Sequence, residues 1–293
     1  SFIESGADVN AKSADGLPLL HLCVITAADR HSIDIIEFLL ENGADIYAEW
    51  LGAHSSNRGP DVFTQAFDGL RDDDVDILTD IIKLLIDNID INHRFGSELT
   101  ILMRAVIYDE VPVTVIDHII KAGADVKLRD TSDMTALHYS TGRTRDTIDV
   151  MKLLIANGAD VNASCAGDHG NSPLMMTIEE IILDEDIKIT SAAVNLLILT
   201  GADVNHKNSW GQTALSMACD KWHNRPSILN VIMKLINAGA TIDHDYEVSS
   251  IVLMKVLKDL NQTRNELLDV KKDFENTIVA FTSRAAVSKK HKH

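Results

Sequence analysis

Apolar residues recur along most of this chain together with one short repeated phrase. The phrase is close to Gly-Ala-Asp-Val-Asn, and in six of its seven copies the residues three, four and seven positions before it are apolar. The copies begin at Gly6, Gly43, Asn88, Gly123, Gly158, Gly201 and Gly239. Apolar residues at these spacings share one face of a helix, and a glycine just beyond such a face is typical of a helix C-terminus. Each copy therefore predicts a helix that ends in a turn.

A second signature follows most copies of the phrase about ten residues later. It reads Thr-Ala-Leu-His at 135–138, Ser-Pro-Leu-Met at 172–175 and Thr-Ala-Leu-Ser at 213–216. Looser versions stand at 18–21 and 100–103, and no convincing version stands between Tyr47 and Thr64. The polar, glycine-containing stretch 48–60 predicts an extended hairpin or loop, and the first helix after it is the least certain element.

The two signatures together resemble the ankyrin repeat, in which Thr-Pro-Leu-His opens a first helix and Gly-Ala-Asp-Val-Asn follows a second. The resemblance implies helix-turn-helix units with projecting hairpins, stacked so that the first helices line a concave face. One such unit cannot bury its own apolar face, whereas a stack can. We therefore expect an all-α ankyrin-repeat solenoid over residues 1–246, with about six repeats and the first one truncated.

Successive copies of the phrase lie 35 to 45 residues apart, whereas the family norm is about 33. Beyond the stretch 48–60, the extra residues fall near 143–147, 182–190 and 222–227, where they would lengthen the first helix or the turn between the two helices. Irregular repeats with Ile-rich and Asp-rich second helices resemble the ankyrin proteins of poxviruses and intracellular bacteria. This likeness implies a pathogen protein that binds a host protein, although no F-box-like segment is recognisable.

The two ends of the chain depart from the repeat. Apolar residues at spacings of three, four and seven continue through 247–285 and predict a helical segment. This segment is either a cap on the last repeat or a coiled-coil or partner-binding helix, and residues 286–293 predict a disordered basic tail. The chain begins mid-repeat without a methionine, which suggests a fragment.

Composition and charge narrow the classes of function. The formal net charge of −17 disfavours nucleic acid, whose phosphates this surface would repel, and favours a partner with a basic surface. No apolar run approaches the ~18 residues of a membrane span. Three cysteines without a Cys-x-x-Cys pair point to a reducing compartment. We expect a cytoplasmic or nuclear protein, monomeric unless the C-terminal helix forms oligomers.

Catalytic and metal-binding signatures are not recognisable in the sequence, and we expect no catalytic residue, metal or cofactor. His21 and His138 fall on the final position of the second signature, where the resemblance implies a ring that hydrogen-bonds loop backbone. Asn10, Asn162 and Asn205 end copies of the phrase. The resemblance implies a hydrogen-bonding role in the hairpin for them, or a target for hydroxylation.

Partners of ankyrin repeats usually contact hairpin tips and the exposed side of first helices. Those positions give the candidates Trp50, Met134, Arg143, His169, Asn171, Glu179, Glu180, Trp210, Gln212, Asp220, Lys221 and Trp222. Trp210 leads, because tryptophan is enriched among binding hot spots, although it could instead lie over the neighbouring hairpin. The sequence thus predicts a non-enzymatic protein-binding module. The alternatives are the substrate receptor of a ubiquitin ligase and the binding part of a larger enzyme.

Overall fold

The computed structural model describes residues 6–27, 30–50, 61–68, 75–167, 169–180, 187–222 and 226–241. Within these ranges the chain forms twelve α-helices and, instead of strands, isolated β-bridges at Lys12–Pro18 and Phe95–Leu99. The helices are α1 Leu19–Ile25, α2 Arg30–Glu41, α3 Val62–Asp68, α4 Val75–Ile86, α5 Ile101–Ile107, α6 Val113–Lys121, α7 Ala136–Tyr139, α8 Thr147–Ala156, α9 Pro173–Glu179, α10 Ile187–Leu199, α11 Ala214–Trp222 and α12 Leu229–Asn237.

The helices form six consecutive pairs that stack in chain order. Each first helix packs against the first helix of the next pair, as α1 does against α3, and each second helix packs against the next second helix, as α2 does against α4. This arrangement confirms the predicted stack of helix pairs. The predicted cap at 247–285 and tail at 286–293 lie outside the described residues, and the domain boundaries stay predictions.

One hydrophobic core runs through the stack, between the two layers of helices. The apolar stripes that the repeated phrase predicted supply much of it. Their fully buried members include Ile36, Ile116, Leu154, Leu197 and Leu235. Because a single helix pair exposes its stripe on both sides, burial comes from the neighbouring pairs, and stability therefore builds up pair by pair.

Glycine ends most of the second helices as the sequence predicts. Gly43, Gly123, Gly158, Gly201 and Gly239 have φ between +88° and +103°, a conformation that costs glycine little and other residues more. The copy at Asn88 lacks this glycine. Here the side-chain amide of Asn88 donates to the carbonyl oxygen of Leu84 at 2.8 Å, and this bond satisfies a carbonyl near the end of α4.

Helix α3, the element that the sequence left least certain, begins directly after Asp61. The carboxylate of Asp61 accepts hydrogen bonds from the amides of Phe63 and Thr64, both at 3.0 Å. Asp61 therefore caps the helix as the threonine of the second signature would. In the fourth pair the extra residues lie in the turn between the helices, where a 3₁₀ turn spans Ser140–Gly142. Residues 51–60, 181–186 and 223–225 lie outside the described residues.

Candidate partner-binding surface

Neighbouring hairpin tips are joined by backbone hydrogen bonds. The amide of Thr131 donates to the carbonyl oxygen of Ser97 at 3.5 Å, and that of Gly167 donates to the oxygen of Ser132 at 3.0 Å. The amide of Ser209 donates in turn to the carbonyl oxygen of His169 at 2.7 Å. The tips of the hairpins before α5, α7, α9 and α11 thus form one continuous row, which we call the tip row.

Asparagine side chains link the same hairpins at their base. Asn162 donates through Nδ2 to the carbonyl oxygen of Gly201 at 3.0 Å and accepts through Oδ1 from the amide of Asp203 at 2.7 Å. The equivalent bonds to the next repeat are made by Asn10, Asn92 and Asn205. This geometry agrees with the hydrogen-bonding role predicted for Asn10, Asn162 and Asn205. We call the four residues the asparagine ladder.

Two histidines fasten first helices to the hairpins that follow them. His138 bonds through Nε2 to the carbonyl oxygen of Ala163 at 3.1 Å, and its Nδ1 accepts from the amide of Thr135 at 3.1 Å. Burial lowers the pKa of His138 from 6.5 to about 4. His21 makes the matching Nε2 bond to the oxygen of Ala48 at 3.0 Å, and burial lowers its pKa too. Both rings have the structural role that the resemblance implied.

Trp210 is the most prominent aromatic side chain of the tip row. Its residue is 58% exposed. Its ring lies over that of His169 on the preceding hairpin, with the ring centroids 3.8 Å apart and the planes inclined by 32°. The amide of Trp210 donates to Oδ1 of Asn208 at 3.0 Å. The ring therefore rests on the neighbouring hairpin and still presents most of its surface to solvent.

The other predicted hairpin residues are less exposed. Trp50 is half-buried, and its indole nitrogen donates to the carbonyl oxygen of Asp15 on the preceding hairpin at 3.0 Å. Met134, in the hairpin before α7, and Gln212, in the hairpin before α11, are half-buried. Trp222 ends α11, and its side chain lies outside the described part of the chain.

Arg143, predicted as an exposed contact, is 5% exposed. Its guanidinium donates to the carbonyl oxygens of Val106, Tyr108 and Val111 at 2.9, 2.7 and 3.0 Å. It also pairs with Asp109, with Nε and Oδ1 3.8 Å apart. The expectation of exposure was wrong because the inserted turn directs this side chain into the preceding repeat, where it covers the carbonyl end of α5.

Asn171 was also expected to be exposed, and it is 1% exposed. Its Nδ2 donates to Oε2 of Glu179 at 2.8 Å, and its Oδ1 accepts from Nδ2 of Asn208 at 2.9 Å. Because Oδ1 of Asn208 accepts from Trp210, a chain of hydrogen bonds runs from Glu179 to the tip tryptophan. Sequence reasoning missed Asn208. A signal was available, because Asp130 stands in the same place, five residues before the second signature, and also bonds backbone amides of its own hairpin.

Acidic side chains lie on the first helices of the last two pairs. Glu179 and Glu180 at the end of α9 and Asp220 in α11 are exposed. Lys221 donates to the carbonyl oxygen of Glu179 at 2.5 Å, so part of its charge is directed at the C-terminus of α9. Helices α9 and α11 are in contact, so Glu179 and Asp220 lie on neighbouring helices.

Sequence reasoning also missed a buried ion pair between the second and third helix pairs. Arg104 contacts Asp61, with Nη2 and Oδ2 2.9 Å apart, and donates to the hydroxyl of Thr64 at 2.7 Å. Its guanidinium carbon lies 5.6 Å from the ring centroid of Phe95. The pair joins α5 to the cap of α3, where the Thr-Pro-Leu-His motif is missing.

The described residues contain neither a cluster of metal ligands nor a membrane-spanning helix. Where the structure describes the chain, three or more His, Cys, Asp or Glu side chains never gather as metal ligands would. In those residues, too, every helix falls short of the length and apolarity that a bilayer requires.

Comparison with known proteins agrees with the repeat architecture. The Ankyrin repeat family model matches residues 15–49 and 132–166. A probable serine/threonine-protein kinase of Dictyostelium discoideum is 32% identical over 101 residues, which are 34% of this chain and 9% of that protein. The chain thus spans less than a tenth of that relative. The crystal structure of the ankyrin repeat domain of Bcl-3, a member of the IkappaB protein family, covers 74% of this chain and 84% of its own, with a TM-score of 0.55 and 22% identity.

Proposed function

We propose that this chain, which has an ankyrin-repeat fold and two segments that match the Ankyrin repeat family model, binds another protein through the tip row and the first helices of its last two repeats. The observation that carries the proposal is the exposure of Trp210, 58% of whose surface is open to solvent. A large apolar side chain exposed on a rigid surface is typical of an interaction site, and tryptophan is enriched among hot spots.

The surroundings of Trp210 favour a partner segment with basic side chains. Glu179 and Asp220 are exposed on the adjoining first helices, and the chain of hydrogen bonds through Asn171 and Asn208 fixes Glu179 relative to Trp210. The face of a tryptophan ring attracts lysine and arginine. The net charge of −17 would also speed the approach of a basic protein.

The partner that we propose is a host protein in the cytoplasm. The ground for this is the resemblance of the irregular repeats, 35 to 45 residues apart, to those of pathogen ankyrin proteins. It is independent of the geometry at Trp210, and the experiment below addresses the two separately.

Capture from a host-cell lysate tests the proposal when three baits are compared. These are the natural chain, Trp210→Ala, and the matched control Leu199→Ala, which removes an apolar side chain that is 76% exposed on the second-helix layer. A protein that the natural chain and the control retain, and that Trp210→Ala loses, is the expected result. Calorimetry with that protein should then show Kd raised about 30-fold, the effect of losing a hot spot of ~2 kcal/mol.

Thermal unfolding of the three baits separates binding from folding. The midpoint for Trp210→Ala should stay close to that of the natural chain, because the residue is exposed and the tip row is held by backbone bonds. If Leu199→Ala lost the partner and Trp210→Ala kept it, the binding surface would be the second-helix layer and the proposal would be wrong.

A further inference from the structure

A cleft of about 120 Å³ lies between the fourth and fifth helix pairs, away from the tip row. It is formed by the turn after α7, the end of α9 and the start of α10. Hairpins precede the first helices, whereas these residues follow them. The cleft therefore opens at the opposite end of the first helices from Trp210.

Threonine side chains make up half of the cleft wall, and four of them have their hydroxyl protons committed to the protein. Thr141 donates to the carbonyl oxygen of His138, Thr147 to that of Arg143 and Thr177 to that of Pro173. Thr144 donates to the carboxylate of Asp109. A hydroxyl has one proton and two lone pairs. A ligand that reaches any of these four oxygens can therefore only donate to it.

The charged groups of the wall also favour a ligand that donates hydrogen bonds. Arg143 contributes to the wall, but its guanidinium donates to backbone oxygens of residues 105–111 and 145, and the residue is almost fully buried. Glu180 is exposed at the cleft, and its carboxylate lies 3.9 Å from the place that a β-carbon on Gly142 would take. The donors of Arg143 are thus committed and its charge is paired with Asp109, which leaves the Glu180 carboxylate and the threonine oxygens to interact with a cationic donor.

Apolar surface completes the cleft. Ile189, which is 39% exposed, lies beside Ala193 and the bare backbone of Gly142. Such a wall suits an aliphatic stem, because long cationic side chains cover apolar surface with their methylene groups and keep the charged end near polar atoms.

We propose that this cleft binds an aliphatic primary ammonium group, supplied by a lysine side chain of the protein partner. The inference rests on the proposed function for the source of the lysine. An ammonium group has three diverging donors, which fit acceptors spread over several hydroxyl oxygens and one carboxylate. A planar guanidinium instead favours a carboxylate or phosphate that it can grip with two parallel bonds. The partner would then contact the protein at two separate places, Trp210 and this cleft.

Methyl NMR tests the cleft without any partner. The probe is Nα-acetyl-lysine N-methylamide, and the control is the norleucine compound, which has the same stem without the nitrogen. Saturable shifts of the Ile189 methyl and of the threonine methyls are expected with the lysine probe and not with the control. Equal shifts with both compounds, or none with either, would overturn the proposal.

Two variants connect the shifts to the cleft. Glu180→Gln removes the charge and should weaken binding of the lysine probe about fivefold to tenfold. Gly142→Leu should fill the cleft and abolish the shifts; position 142 is exposed, has no positive φ and has ordinary room for a side chain. Unchanged affinity in Glu180→Gln would overturn the proposal. Spermidine serves as a third ligand, and binding more than tenfold tighter than the lysine probe would assign the cleft to a free polyamine instead.

The titration and the capture experiment fail independently. Trp210→Ala should leave the lysine titration unchanged, because the tip row lies at the other end of the first helices. If the lysine probe caused no shifts while capture still depended on Trp210, the lysine site would be ruled out and the proposed function would stand. If the lysine probe bound and no partner were captured, the lysine site would stand and the proposed function would be ruled out.

Discussion

At the residue scale, Arg143 illustrates how one side chain can complete a neighbouring repeat. The last carbonyl groups of a helix have no partner within it, and at the end of α5 these include the carbonyl of Val106 and that of the C-cap residue Tyr108. The guanidinium of Arg143 donates to both. Its positive charge also lies at the negative end of the α5 dipole. The inserted turn after α7 is what brings this arginine back to the preceding pair.

Arg143→Ala should therefore lower the free energy of unfolding by about 3–4 kcal/mol, since it leaves several buried carbonyls without their donor and removes the ion pair with Asp109. Arg143→Lys should recover less than half of the loss, because one ammonium group cannot reach as many oxygens. Urea unfolding measures both. Lys188→Ala, an exposed substitution on α10, is the control and should change stability by less than ~0.5 kcal/mol. If Arg143→Ala also lost less than ~0.5 kcal/mol, the capping role would be contradicted.

His138 should make stability depend on pH. Its pKa is lowered from 6.5 to about 4 in the folded protein, so between these values the unfolded chain binds a proton that the folded chain does not. Stability is then complete above about pH 6.5 and is lost as the pH falls towards about 4. At about 1.36 kcal/mol per pKa unit, the loss approaches about 3 kcal/mol near pH 4, and about 2 kcal/mol of it is reached by about pH 5. Urea unfolding between about pH 7 and about pH 5 measures it.

The matched variant for this prediction is His138→Gln. It should be less stable at neutral pH, because it loses the bonds to Ala163 and Thr135, and its stability should fall less steeply as the pH is lowered. His21, whose pKa is also lowered, adds a change of the same sign in both proteins. Equal slopes in the two proteins would show that His138 is not the group that titrates.

The residues that the sequence identified correctly are those whose contacts follow from the repeat itself. His138 bonds to Ala163 in the next hairpin, and its position within the second signature was sufficient to predict that role. Arg143 and Asn171 were placed at the surface because their repeat positions are usually exposed. Their partners, Val106 and Asn208, stand 37 residues away in neighbouring repeats, and no local pattern shows such contacts.

At the element scale, the second helices were predicted best, because each has a full apolar stripe and a terminating phrase. Helix α3 was the least certain, since Asp61 and Thr64 replace the expected threonine and histidine. Asp61 and Thr64 are both bound by Arg104 of the next pair. This contact could not be predicted from the sequence of the second repeat alone, because Arg104 belongs to the third. Insertions in the inter-helix turns were placed only approximately, because their length reveals nothing of what they pack against.

The asparagine ladder has a gap that a substitution should fill. Lys127 stands where Asn92 and Asn162 stand in their repeats, and its stem lies near Gly158, whose added β-carbon would be 3.8 Å from Cε. Lys127→Asn should add bonds to the Gly158 carbonyl and the Asp160 amide, and stabilise the fold by about 1 kcal/mol. Hydrogen exchange at the Asp160 amide should slow. Lys127→Ala is the control, and an equal gain there would mean that the added bonds do not form.

At the scale of the whole molecule, the net charge of −17 should give folding and partner binding opposite responses to salt. Raising NaCl from about 0.05 M to about 0.5 M screens repulsion between exposed carboxylates, so the midpoint of thermal unfolding should rise. The same change should slow association with a basic partner by about tenfold or more, because steering is screened. Calorimetry and stopped-flow binding measure the two effects. A rate independent of salt would mean that the partner is not basic.

The tip row has a consequence for how this protein can change over evolutionary time. The bonds between neighbouring tips join backbone amides to backbone carbonyls, so they need few particular side chains. Gly167 is a position that must stay small, because an added β-carbon there would lie 2.6 Å from that of Ser132. A substitution such as Trp210 to another residue can alter what the surface recognises while the spacing of the tips stays the same. Backbone atoms hold the tips together, whereas side-chain atoms would contact a partner. Substitutions at the tips can therefore change the partner without first producing an unstable protein.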